Sequence, residues 1–451
     1  MKKEDLFETL GELDDNLVRE AKKKVNWKPF ALTAAALAAA LLAGILLWPN
    51  GSALPSTALA AYEPDTSAAY DGSPLDGAYL SDIRSFSARA GNVLLNGQDS
   101  VAYSPAALYT ALSMVAELAD GDSLDSLLSA LEADGTGELR KNTGNLWRYL
   151  CNNPDVKAPG KITIANSLWL NQDYSFNGET LQNLADHYYV ASYTGEMQKE
   201  IPGEVSRWVK KQTNGLLDCR VKPQPNTMAV LLSAVYFYDD WAEAFKKADV
   251  TDGRFKGPEE EWISVNYMKR TEENRAYYQE NGVTASVQYF QNGGKMLFIL
   301  PDEGRSPADV LSDTELLASL LDWEGAARDT GTVKWSIPRF TLSSTIDLEE
   351  GLSALGLGGL FDGLANDGNP LPKLSDGTAA YIGKAEQGTS VSINEKGCEA
   401  SSYVMIEAQA KGAELPSEKV VSMMLNRPFV FAVLSENDVP LFLGVVNDPN
   451  G

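Results

Sequence analysis

Leu231-Leu232-Ser233-Ala234-Val235-Tyr236-Phe237-Tyr238-Asp239-Asp240-Trp241 is the stretch on which the fold turns. From Ala229 to Tyr238 there is no Gly, Pro or Asn. Apolar residues occupy both parities, so the segment reads as a strand buried on both faces. Ile162 to Leu170, Lys295 to Leu300 and Thr332 to Ile337 share this β-branched and aromatic texture and predict further strands. At the end of the chain, Phe429 to Leu434 and Leu441 to Val446 form an apolar pair joined by the polar turn Glu436-Asn437-Asp438.

Upstream the texture is helical. Phe86 to Leu95, Ala106 to Leu118 and Leu124 to Leu131 carry helical spacing, broken at Ser104-Pro105 and Asp120-Gly121-Asp122. Glu349 to Leu357 predicts one later helix. The fold class is therefore α+β, and with no internal repeat or shift in composition, residues 79–451 read as one large domain.

Before that domain, Phe30 to Trp48 is an uncharged run of 19 residues, about 28 Å long as a helix, which matches a bilayer core. Lys22, Lys23, Lys24 and Lys28 flank its N-terminal side, so the positive-inside rule places residues 1–29 in the cytoplasm and the body outside. The tail carries Leu6, Leu10, Leu13 and Leu17 on one helical face and reads as a surface helix, with docking of a cytoplasmic partner as its alternative. Residues 49–78, rich in Ser, Ala, Pro and Gly, read as a linker. A second reading is secretion after cleavage near Ala60, since Ala58-Leu59-Ala60 has the small residues of such a site.

The chain of 451 residues is 44% hydrophobic and has 38 basic against 62 acidic groups, a formal charge of −24. This excludes a disordered chain and a nucleic-acid binder. Cys151, Cys219 and Cys398 show no metal-ligand spacing. Catalysis is poorly provided for. The sole histidine, His187, has no GxSxG serine and reads as structural. Gly356-Leu357-Gly358-Gly359 follows a helix stripe and reads as a helix end, and Asp120 to Asp125 lacks the closing Glu of a calcium loop. An acid pair of the glycosidase type has only the abundance of carboxylates behind it.

Several stretches in order resemble the serpin family, inhibitors that trap proteases by loop insertion. They are Leu231 to Trp241 with Phe245, Val265 to Arg270, Met296 to Pro301, Ile337-Pro338-Arg339-Phe340, Arg427 to Phe431 and Pro440 to Pro449. The resemblance covers residues 79–451 and implies the serpin fold, helices around three sheets with an exposed reactive loop. It implies an inhibitor that is no enzyme and needs no cofactor. Glu395-Lys396-Gly397-Cys398-Glu399-Ala400-Ser401-Ser402 is similar to the hinge that starts that loop. As a strand, this segment puts Cys398, Ala400 and Ser402 on one small-residue face and Glu399, Ser401 and Tyr403 on the other. No proline interrupts Gly397 to Ala413, and inserting Cys398 to Lys411 moves the loop's end by roughly 45 Å.

By the family's spacing from the hinge glycine, the reactive bond is Lys411–Gly412, which implies a trypsin-like extracellular serine protease as partner. The loop is longer than usual up to Pro428, which leaves Ala410, Ala413, Leu415 and Lys419 as alternatives. The sheet-opening region implied is Ser104, Ser233, Trp241 and Gln387. Here Gln387 stands where many relatives place histidine, Ser233 where they have asparagine, and Ala107 where a second serine follows Ser104-Pro105. Cys398 replaces a usual Thr or Ser, a thiol whose oxidation would block insertion. The leading expectation is a bacterial-type, membrane-tethered inhibitor; the second is a non-inhibitory binding or surface-structural module on the same scaffold.

Overall fold

The computed structural model describes residues 59–95, 97, 99–158, 160–326, 328–363, 368–398 and 419–450. The chain divides into units 1–56 and 57–451, and the second is described here. The tail 1–29 and the run Phe30 to Trp48 lie outside the described residues. Among the described residues no helix is long and apolar enough to cross a membrane.

In chain order the strands are β1 (Leu59–Tyr62), β2 (Val101–Tyr103), β3 (Lys161–Asn171), β4 (Val190–Gly195), β5 (Ala229–Asp240), β6 (Val250–Lys256), β7 (Trp262–Glu280) and β8 (Val283–Tyr289). They continue as β9 (Lys295–Pro301), β10 (Asp329–Pro338), β11 (Phe340–Asp347), β12 (Glu386–Ile393), β13 (Gly397–Cys398), β14 (Val420–Met424), β15 (Phe429–Leu434) and β16 (Pro440–Val446). The helices are α1 (Gly77–Leu94), α2 (Pro105–Leu118), α3 (Gly121–Leu131), α4 (Thr136–Cys151), α5 (Gly178–Tyr188), α6 (Ile201–Gln212), α7 (Pro307–Ser312), α8 (Thr314–Leu321) and the short α9 (Glu349–Leu352).

Three sheets result. One runs β1-β4-β3-β5-β13, a second of nine strands runs β14-β10-β7-β8-β9-β15-β16-β2 with β6 on β7, and β11-β12 form a ribbon. The long strand β5 is covered on both faces. Leu231 and Val235 pack into the main core, whereas Val230 and Leu232 pack with Trp169 under Ile201, Val205 and Val209 of α6. This double burial is why its sequence is apolar at both parities. The α2 helix starts where Ser104 caps it, its Oγ accepting from Ala107 N–H at 3.2 Å with Pro105 in the first turn.

Two expectations differ from the structure. Glu349 to Leu357 is not one helix: α9 stops at Leu352, a π turn follows over Ser353–Leu357, and Gly356 at φ 87° reverses the chain before a 3-10 turn at Gly358–Leu360. The stretch read as a linker holds β1, paired antiparallel with β4, and α1 already begins at Gly77, capped by Asp76. After β1, Asn152 Nδ2 donates to the carbonyls of Thr66 and Ala68 at 3.2 and 2.8 Å, and Tyr70 N–H donates to Asn152 O at 3.0 Å. Main-chain pairing at a sheet edge needs no apolar periodicity, so the sequence carries no sign of it.

Candidate functional site: the loop hinge and the sheet beside it

The hinge is held by backbone. Gly397 and Cys398 pair with Asp240 and Asp239 at the end of β5. Trp241 N–H donates to Lys396 O, and Phe245 N–H to Glu395 O, both at 2.8 Å. Asn394 N–H closes a tight turn onto Gly397 O at 3.0 Å. A Cβ on Gly397 would lie 2.4 Å from Asp239 O and 2.6 Å from Asp240 Cα, so only glycine lets the two backbones approach.

Trp241 anchors the corner. It is 1% exposed, stacks on Phe290 with centroids 4.8 Å apart, and its indole Nε1 donates to Asn394 O at 2.8 Å. Arg339 pairs with Glu395 at 2.8 Å, and the Arg270 guanidinium lies 3.6 Å from the centre of the Phe245 ring. Cys398 is 6% exposed and part of the main core, so in this state its thiol is shielded from the oxidants the sequence suggested. Its neighbour across the pair, Asp239, is buried, and burial pushes its carboxyl up to about 6 against three stabilising hydrogen bonds: Asn292 N–H at 3.0 Å, Asn292 Nδ2 at 3.1 Å and Asp240 N–H at 3.0 Å.

Beyond the hinge, the sheet is open. Strands β11 and β12 pair with each other from Phe340↔Ile393 to Asp347↔Glu386, but among the described residues no ladder joins β12 to β5. Below this opening, Ser104 and Gln387 meet. The Gln387 amide clasps the backbone of Ser104 twice: Ser104 N–H donates to Oε1 at 2.8 Å and Nε2 donates to Ser104 O at 3.2 Å. Ser104 Oγ donates in turn to Leu441 O at 2.6 Å. Ser233 does not join them: opposite Asn166 in the β3–β5 register, its buried Oγ has no hydrogen-bond partner among the described residues.

Among the hinge residues, Glu395, Lys396, Gly397 and Cys398 are thus brought against Trp241. Glu399, Ala400, Ser401 and Ser402, the bond Lys411–Gly412, and the alternatives Ala410, Ala413 and Leu415 lie outside the described residues. Lys419 is described, ahead of β14 and above the Tyr277 ring at 5.3 Å. Sequence reasoning missed Asn394, Phe245 and Arg339 as hinge partners. The only available signal was that a buried tryptophan must find an acceptor for its N–H. Among the described residues no group of His, Cys, Asp and Glu could hold a metal.

Comparison with known proteins agrees with this geometry. The family model described as Serpin (serine protease inhibitor) matches residues 83–449. Serpin-ZX of Arabidopsis thaliana is 26% identical over 363 residues, covering 78% of this chain and 92% of the relative. The crystal structure of the thermophilic serpin tengpin in its native state superposes with a TM-score of 0.75 at 25% identity, over 87% of this chain and 99% of that one. Tengpin in its latent state gives 0.69 at 25% identity, over 83% and 98%. With its glycine Gly397 against β5, its buried corner tryptophan and a family match over residues 83–449, the chain belongs to the serpin family, whose members are generally serine protease inhibitors rather than enzymes.

Proposed function

We propose that this chain is a single-use inhibitor that offers Lys411 to a trypsin-like serine protease and traps it as an acyl complex. The attacking serine would form an ester with the Lys411 carbonyl and release Gly412 as the new amino terminus. The freed strand would then enter between β5 and β12 and carry the esterified protease with it. The observation that carries this reading is the hinge itself: two residues of the loop already pair with the end of β5, beside a sheet with no β5–β12 ladder among the described residues. The run Phe30 to Trp48 would anchor the body outside a cell membrane, with residues 1–29 in the cytoplasm.

The test is incubation with trypsin-like and elastase-like proteases. A band that survives boiling in detergent, with the cut after Lys411 by mass spectrometry and a marked gain in heat resistance once cleaved, is the expected result. Cleavage with neither adduct nor heat resistance would make the protein a substrate and favour a binding module on the same scaffold. Protection of residues 1–29, but not of the body, from protease added to intact cells tests the anchor.

A further inference from the structure

The edge strand β14, directly after the reactive loop, is two-faced. Val421 and Met423 are buried at 1% and 0%, whereas Val420 and Met424 are 56% and 49% exposed. These two are among only five large hydrophobic residues exposed in the described part of the chain. Edge strands are ordinarily blunted with charge, so apolar side chains on an outer edge face mark a contact.

The register shows what surrounds them. Val420, Ser422 and Met424 lie opposite Thr332, Lys334 and Ser336 of β10. Lys334 and Ser336 in turn lie opposite Thr271 and Lys269 of β7. Residues directly opposite share a sheet face, so Lys334 sits beside the gap between Val420 and Met424, and Lys269 lies beyond Met424. Both lysines are exposed and neither is in an ion pair among the described residues. Glu273, where the β7–β10 register shifts, is the neighbouring acid. In a chain of net charge −24, this face is apolar and basic.

We propose that the outer face of β14 and β10 is a second contact for the protease that cuts the loop, one whose surface beside the substrate cleft is acidic. The proposal rests on the inhibitor reading above. Val420 follows Lys411 by nine residues, a reach of at most about 30 Å, so this face lies within the span of an enzyme seated on that bond. Opposite charges there speed encounter, and the exposed Val420 and Met424 bury against the enzyme.

Full-length protein in detergent is reacted with anionic and with cationic trypsin, which share chemistry and differ in surface charge. Two variants are compared with the wild type: Val420→Ser/Met424→Ser and, independently of any effect on β14 itself, Lys269→Glu/Lys334→Glu. Both are expected to slow loop cleavage by anionic trypsin by about tenfold, with a smaller effect on cationic trypsin and a wild-type rate that falls with salt. The fraction of cleaved loops captured as adduct should not change. Rates within twofold of wild type for both enzymes overturn the proposal, as does loss of self-association or of anionic-vesicle binding in the variants with cleavage rates intact. If the wild type is cut without forming an adduct, the inhibitor reading fails, while the cleavage rates still decide the docking face.

Discussion

Replacing Gln387 by alanine removes both halves of the amide clasp on Ser104, the bonds of 2.8 and 3.2 Å. Each is worth about 1 kcal/mol net, and Ser104, only 4% exposed, leaves its N–H stranded at a further cost of about 1–2 kcal/mol. The loss is about 3–4 kcal/mol. At about 2.1 cal/mol/K of unfolding entropy per residue over roughly 370 residues, that lowers the melting temperature by about 4–5 °C. Gln387→Glu sharpens the test. Ionised, the new carboxylate still accepts from Ser104 N–H but turns an unprotonated oxygen toward Ser104 O; protonated, it donates there again. Its folded pKa is therefore raised above the unfolded value of about 4.3, so its contribution is present below about pH 4 and lost as pH rises through the folded pKa. Urea titrations of the three proteins from pH 4 to 8 measure this. A Gln387→Ala loss under about 0.5 kcal/mol, or a Gln387→Glu profile parallel to wild type, would refute the reasoning.

Other variants probe the hinge and the core. Gly397→Val drives a side chain into the Asp239 and Asp240 backbone, so it should cost about 1–3 kcal/mol and abolish adduct formation while leaving loop cleavage intact, as a gel assay with trypsin would show. Lys295, 2% exposed, pairs with Asp438, 1% exposed, at 2.6 Å; Lys295→Met alone should cost about 3–5 kcal/mol in urea melts, and Lys295→Met/Asp438→Asn should recover most of it. Burial holds the Asp239 carboxyl at about 6. Its neutral form is therefore favoured in the folded state, and a contribution of about 3 kcal/mol, complete below about pH 4, is lost as pH rises through 6. Asp239→Asn should flatten that slope, measured as the difference in stability between the two proteins from pH 4 to 7.

The sequence announced some features and hid others for physical reasons. Strand β5 was legible because cover on both faces writes apolar residues at both parities, with Ser233 the polar residue between Ala229 and Tyr238, whereas Glu395 to Cys398 were singled out through the family resemblance. The Ser104–Pro105 break was legible as a turn, and the structure makes it the cap of α2. Gly356 was legible as a break, and there the backbone does turn to φ 87°; the earlier stop of α9 at Leu352 was not, because the apolar stripe runs on through Leu355 and Leu357. Nor was β1, held by main-chain hydrogen bonds to β4 and by the single ring of Tyr62 against the core, too little to write a period. The pairing of Gln387 with Ser104 depends on two segments far apart in the chain, and Asn394 meets Trp241 and Gly397 through its backbone carbonyl and N–H, which every residue but proline has. The β5–β12 opening belongs to no residue at all: it is a ladder not made between two strands that each look ordinary.

The two paired residues of β13 bear on time as well as on position. Under the proposed trapping mechanism, insertion races hydrolysis of the ester that holds the protease, and the slowest part of a zipper is its first rung, where chain freedom is lost before pairing offsets it. Here Gly397 and Cys398 are already seated against Asp240 and Asp239. The race begins past its starting line: cutting the loop releases a zipper whose slider is engaged, and each later residue adds its rung at the cost of propagation alone. A chain in which those two rungs had to form after cleavage would give the enzyme the first move.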